Sequence, residues 1–221
     1  MSVPVVLVLA SSSPRRRELL SLAGWMFHVL HVDVNEEILA GESPADYVRR
    51  LARLKAQAVA EQVRPGAVII GADTAVVDGA DILGKPATVA DADAMLRRLR
   101  GHTHQVYTGI AVFRPDDGFL ADDLCVTDVP MRDYSDEELR AYVASGDPLD
   151  KAGGYAIQHR DFHPVDALSG CYAGVVGLPL CHLVRTIKRA NIVPLADVPR
   201  NCQQMLHYRC PVYRAVLRGE A

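Results

Sequence analysis

The sequence predicts an α/β fold, and three observations carry that prediction. Apolar segments of strand length alternate with amphipathic helical segments through most of the chain. The first, Val5 to Leu9, is apolar on both faces, which places it in the middle of a sheet. No internal repeat or low-complexity tract interrupts the pattern, and 221 residues suit one large domain or two small ones, burying roughly 70% of the unfolded surface.

The elements follow in order. After the opening strand, Ser13 is a good N-cap and Pro14 fits the first helical position, with Leu19, Leu20 and Leu22 forming a stripe that ends near Gly24. A second helix begins at Ser43-Pro44 and runs to about Val63. Val68 to Val77 reads as a strand, and the Asp78-Gly79 turn returns the chain through Ile82 and Leu83 as a hairpin. Met95, Leu96 and Leu99 mark a helix closed by Gly101. His104 to Phe113 and Leu124 to Met131 are two more strands, joined by a polar Pro-Asp-Asp-Gly turn. Ser135 and Glu138 make a capping box for a helix that ends at Gly146. Tyr172 to Val176 reads as a strand, Pro179 to Arg189 as a last helix, and the tail beyond Asn191 as less regular.

Composition narrows the function. A formal charge of -3 gives no global nucleic-acid footprint, so chemistry on polyanions has to be local. No apolar run approaches the ~20 residues of a membrane span. Val3 to Ala10 is too short for a signal peptide and has no basic residue before it, so a cytoplasmic location is expected, without membrane or nucleic-acid partners. The five cysteines, an odd count without tight CxxC spacing, point to reduced thiols.

Several residues do what a fold does not need. Arg15, Arg16 and Arg17 crowd the first turn of the first helix, where they oppose the dipole. They ask for an anion, although a solvated basic face also accounts for such a run. The hydroxyl-rich loop Ser11 to Ser13 joins a buried strand to that helix, as α/β proteins do where backbone N–H groups meet phosphate, but it has neither the glycines nor the Lys-Ser/Thr pair of a Walker loop. Lys55 falls on the apolar stripe of Val48, Leu51, Ala52, Ala58 and Val59, where it either snorkels or meets an anion. Asp73 interrupts the apolar strand and requires a cation, structural or catalytic. Lys85 follows the hairpin and reaches the same end of the sheet, while Glu36 and Glu37 add carboxylates of the kind that hold a divalent ion, or in the case of Glu37 a solvated charge. The loop from Asp147 to Gln158 fits both a pocket lining and a capped connector. The histidines show no HExxH pattern, and no Cys or Ser in these motifs has an obvious His partner for nucleophilic catalysis.

Together these segments resemble the Maf family of nucleoside triphosphate pyrophosphatases. The similarity runs in order through LASSSPRRRELL, VNEE, LARLKAQA, GADTAVV, LGKP, MLRRLRGHTHQVYTG, YVASGDPLDKAGGYAIQ and VVGLPL. The resemblance implies an elongated mixed sheet flanked by helices, two lobes around a deep cleft as in ITPase-like folds, and a homodimer. It implies hydrolysis of a nucleoside triphosphate to the monophosphate and pyrophosphate with a divalent metal cation, Mg²⁺ or Mn²⁺. By position, Ser13, Arg16, Lys55 and Lys85 match phosphate-binding residues, Glu36 a metal-side acid, and Asp73 the proton acceptor, which shares the metal. Arg15, Thr74 and Gln158 match the set that separates dTTP/UTP enzymes from those favouring 7-methyl-GTP. The motif Gly153-Gly154-Tyr155-Ala156-Ile157-Gln158 departs from the family's Gly-Ala-Tyr-Gly-Ile-Gln, and His159 to Gly170 lacks its glycine and Phe-Val pattern. The alternatives are a nucleotide-binding regulator with little turnover and a purine-directed pyrophosphatase. The Maf-like unit is expected over 1–190. An extension over 191–221 carries Cys202, His207 and Cys210, which serve either packing or, with Cys171 or Cys181, a zinc ion.

Overall fold

The computed structural model describes residues 6–31 and 33–220, so Val3 to Val5 of the anticipated opening strand lie outside the described residues. Strands β1 (Val6–Ala10), β2 (Phe27–Leu30), β3 (Ala67–Asp78), β4 (Asp81–Leu83), β5 (Thr103–Arg114) and β6 (Phe119–Pro130) form one mixed sheet. Its order is β2-β1-β3-β5-β6, with β4 paired to β3 off that path. β1 runs parallel to both neighbours, and β3, β5 and β6 are successively antiparallel. The two-sided apolarity of β1 is thereby explained, since Leu7, Val8, Leu9 and Ala10 are all buried.

Helices α1 (Pro14–Ser21), α2 (Pro44–Ala58), α3 (Val89–Leu99) and α4 (Asp136–Ala144) start where their signals predict, although α2 ends at Ala58 rather than about Val63 and a 3-10 turn, Ala60–Gln62, follows it. Each is capped by a side chain, with full capping boxes at Thr88/Asp91 and Ser135/Glu138. α2 lies directly on the backbones of β3 and β5. A Cβ at Gly71 would come within 2.1 Å of the Ala52 carbonyl oxygen, and one at Gly109 within 2.5 Å of that of Val48. The missing side chains thus set how closely this helix approaches the sheet.

The apolar interior has two main centres. One joins Leu9, Leu20, Ile70 and Val112 to α6 (Leu180–Ile187), and the other joins Val76 and Val106, toward the far ends of β3 and β5, to Leu96, Leu99 and Leu139 of α3 and α4. A cavity of about 730 Å³ opens between these lobes.

Three expectations need correction. Residues 172–176 are not a strand but a short helix, α5 (Tyr172–Val176). A five-residue apolar run cannot distinguish the two by periodicity; here Ala173 and Gly174 are buried together, and the Cys171 sulfur accepts from the Gly174 N–H. β6 begins at Phe119 rather than Leu124, because Asp122 and Asp123, loop-like in sequence, meet Arg53 of α2 and Arg185 of α6. β2 carried no signal: it is an edge strand of four residues with no buried position. The tail is more regular than its sequence suggests, forming α7 (Val198–Met205) and α8 (Tyr213–Arg218), and its residues Ile192, Val198 and Leu206 join the first core. No described helix is long and apolar enough to cross a membrane.

Candidate active site

The end of β1 delivers Ser11 to Ser13 to the cavity, and α1 starts there. Ser13 caps the helix, accepting from the Arg16 N–H at 3.4 Å, while buried Ser11 accepts from the Ser13 N–H at 3.2 Å. Arg15 and Arg16 line the cavity and Arg17 does not. Arg16 is tethered on three sides: Nε donates to the Gly177 carbonyl at 2.9 Å, Nη2 to Thr74 Oγ1 at 3.1 Å and Nη1 to Ser11 Oγ at 3.5 Å. With five N–H donors, it keeps two for a ligand. Burial pulls its pKa below the ordinary value and the Asp73 charge opposes that, but a guanidinium starts so high that it stays cationic at neutral pH.

The Thr74 contact belongs to a chain whose direction is determined. The Gly174 carbonyl only accepts, so the Thr108 hydroxyl spends its single hydrogen there, at 2.8 Å. Across the 3.0 Å contact between the two hydroxyls, Thr74 must therefore donate to Thr108, leaving its lone pairs to Arg16. Thr108 is fully buried mid-strand and gave no sequence signal; only the sheet register, which sets it opposite Thr74, brings it in.

Asp73 stands in the middle of β3, 6% exposed, facing the cavity. Lys55 reaches it from α2 and donates to Oδ1 at 2.6 Å, and the same ammonium lies 2.6 Å from Glu36 Oε1. Lys55 therefore meets anions rather than snorkelling, and the cation Asp73 requires is a lysine of the cavity wall rather than a structural arginine. Burial pushes the Asp73 pKa above its ordinary value, outweighing the pull of Lys55 and Arg16. Tyr47 borders the same acids, and burial with the charges of Asp73 and Glu36 pushes its phenol up to about 12.

Lys85 and Gln158 line the cavity from the opposite side and are exposed to it. Arg15 lies 3.7 Å from Asp150 across the mouth. The Glu37 carboxylate accepts from the Asn35 amide and is not in the wall, while its backbone carbonyl accepts from Arg50. Lys151, in the loop whose sequence fits both a pocket lining and a connector, lines the cavity, and it is buried and bonded to Asp147 and Asp150. A hard divalent cation fits this donor set in part. Glu36 and Asp73 are oxygen donors of the right kind, and Asp73 Oδ2 makes no hydrogen bond among the described residues, but the position between the two acids already holds the Lys55 ammonium.

Known proteins resemble this chain over most of its length. The family model described as Maf-like protein matches residues 6–190. A dTTP/UTP pyrophosphatase of Geobacter sulfurreducens is 50% identical over 184 residues, covering 83% of this chain and 95% of its own. The dTTP/UTP pyrophosphatase of Geotalea uraniireducens is 48% identical over 187 residues, 85% and 96% of the two chains. That of Bacillus cereus (strain AH820) is 46% identical over 186 residues, 84% and 96%. Among solved structures, a HAM1 protein from Coxiella burnetii overlays 59% of this chain and 74% of its own with a TM-score of 0.42 at 17% identity, too low to bear on the site.

Proposed function

This chain belongs to the Maf family, and from that premise we propose that it hydrolyses nucleoside triphosphates, dTTP and UTP foremost, to the monophosphate and pyrophosphate. The observation that carries the reading is one buried carboxylate, Asp73, aimed into a cavity whose wall holds Arg15, Arg16, Lys55, Lys85 and Lys151. Cleavage between the α and β phosphates needs an in-line water and neutralisation of the leaving charge. Asp73 takes the proton from that water, and its raised pKa brings it nearer the operating pH of a general base. Lys55 holds Asp73 in place through Oδ1, which leaves the other oxygen for the water. Ser13 and the two spare N–H groups of Arg16 meet the phosphates, and Lys85, which has no ion pair among the described residues, offers its charge to the leaving pyrophosphate.

Glu36 and Asp73 would hold Mg²⁺ or Mn²⁺ with the substrate phosphates where the Lys55 ammonium yields its place between them, and such an ion would supply further charge neutralisation. Base selection falls to Arg15, Thr74 and Gln158. Thr74 acts through Arg16, since its own hydrogen is committed to Thr108. A cytoplasmic location and a homodimer belong to the same reading, supported by the family resemblance.

Pyrophosphate release across a panel of triphosphates tests it. The expected result is a higher kcat/KM for dTTP and UTP than for 7-methyl-GTP, dATP or ITP. A panel led by 7-methyl-GTP or ITP would overturn the base preference, and tight triphosphate binding without turnover would overturn the enzyme.

A further inference from the structure

The five cysteines are all free thiols, none lines the active-site cavity, and none takes part in the chemistry above. We propose that three side chains, Cys125, Cys171 and His182, form a binding site for one thiophilic d¹⁰ metal ion, Zn²⁺ in the first instance. Their ligand atoms all lie within 4.8 Å of one another. Zinc with Zn–S of about 2.3 Å and Zn–N of about 2.0 Å sets its ligands roughly 3.5 to 3.8 Å apart, so closing on a metal takes a shift on the order of 1 Å. The three residues come from separate parts of the chain: the middle of β6, the residue that caps α5, and the first half of α6.

Their surroundings suit a metal better than plain packing. The residues are 3%, 9% and 4% exposed, so hard ions and bulk water are kept out. His182 Nδ1 is buried without any hydrogen-bond partner, an unsatisfied atom that a metal bond at Nδ1 would account for. The Gly174 N–H donates to the Cys171 sulfur at 3.3 Å, and Thr127 Oγ1 lies 3.7 Å from the Cys125 sulfur, so polar groups border both sulfurs. Gly174 itself is obligatory, since a Cβ there would meet the Cys125 sulfur at 2.8 Å. Cys171 also borders a separate, apolar cavity of about 20 Å³, which neither Cys125 nor His182 lines.

This is a different ligand set from the one the tail sequence suggests. His207 is exposed, and Cys202, His207 and Cys210 form no such cluster among the described residues; Cys202 and Cys210 line the small cavity instead. Cys171 is the residue the two sets share. A metal here would join β6, α5 and α6 next to the segment whose Gly174 and Gly177 carbonyls hold Thr108 and Arg16.

The test uses the full chain, reduced, loaded with Zn²⁺ and desalted. Native mass spectrometry should find one zinc per chain. Co²⁺ in its place should give a thiolate-to-metal charge-transfer band, which an ion held by the carboxylates of the active site would not give. Cys125→Ser and Cys171→Ser should each weaken zinc binding more than tenfold, and Cys202→Ser with Cys210→Ser should leave it intact. Zinc at a hundredfold excess over Kd should raise Tm by roughly 5 to 10 °C. Wild-type protein that gives no charge-transfer band overturns the site whether or not the variants fold. So does zinc retained by the folded Cys125→Ser/Cys171→Ser variant, and a metal-free mass two hydrogens light would assign the pair to a disulfide instead.

Discussion

Two lysines in the wall of the cavity are equally buried, each 8% exposed, and each sits between two carboxylates. Their chemistry differs because their acids do. Lys55 ties α2 to Asp73 on β3, a carboxylate in mid-strand with almost no solvent of its own. Lys151 is bonded within its own loop, to the Asp147 carbonyl at 2.5 Å, to Asp147 Oδ1 at 3.0 Å and to Asp150, whose side chain is 68% exposed. Burial raises the Asp73 pKa and wins. At Asp147 burial also raises the pKa, but the Tyr142 hydroxyl and Lys151 together outweigh it and leave Asp147 below its ordinary value. A buried lysine is therefore not enough to identify a reacting group; the solvation of its partner decides.

The largest effect should separate the two acids. Asp73→Asn keeps size and hydrogen bonding but loses basicity, so dTTP turnover should fall by something on the order of 10² to 10⁴ while triphosphate binding survives. Asp147→Asn should lower Tm and leave kcat nearly unchanged. In wild type the acid limb of kcat/KM should lie above the ordinary carboxylate pKa of about 3.9, because the base acts only when deprotonated and burial raises its pKa. Equal kinetic losses in both variants would erase the distinction drawn here.

The lysines themselves give the next contrast. Lys55→Met strands a buried carboxylate and should cost about 3 to 5 kcal/mol in urea unfolding at neutral pH. The cost should shrink as pH falls and Asp73 takes up a proton. Lys151→Met releases acids that water can reach, and a loss of about 1 kcal/mol is expected. A larger penalty at Lys151 than at Lys55 would reverse the comparison.

A smaller effect sharpens it from the loop side. His104 Nε2 lies 2.7 Å from the hydroxyl of Tyr155, in the loop that ends at Gln158, and burial lowers the His104 pKa to about 4. The unfolded chain takes up that proton near 6.5, so stability is complete above 6.5 and declines as pH falls toward 4, by at most about 3 kcal/mol. His104→Gln should flatten this part of the Tm–pH curve. A variant curve parallel to wild type would show that another group is responsible.

What sequence reasoning could reach follows from the range of each interaction. Lys55 and Asp73 were legible because each is a charge on an otherwise apolar face, a violation visible within one element. The same holds for Arg15 and Arg16 at a helix start. The tether of Arg16 to Gly177 spans 161 residues and lands on a backbone carbonyl, so no local pattern announces it. Thr108 enters only through strand register, and α5 was misread because five apolar residues look alike in either conformation. Helices with caps and stripes were legible to within a few residues. β2 was not, since an edge strand with no buried face leaves no alternation to read.

The bare contact of α2 on Gly71 and Gly109 has a consequence for inheritance. Side chains facing a ligand can often drift by small steps, each partly compensated by water. Here one methyl group would push the Ala52 carbonyl from 2.1 Å to an ordinary contact beyond 3 Å, lifting the helix and withdrawing Lys55 from Asp73. No neighbouring side chain can absorb that shift, because both surfaces are main chain. Chance variation at these two glycines would thus be removed for a kinetic reason by residues that never touch a nucleotide, and a screen of substitutions would score them with the active site although they stand behind it.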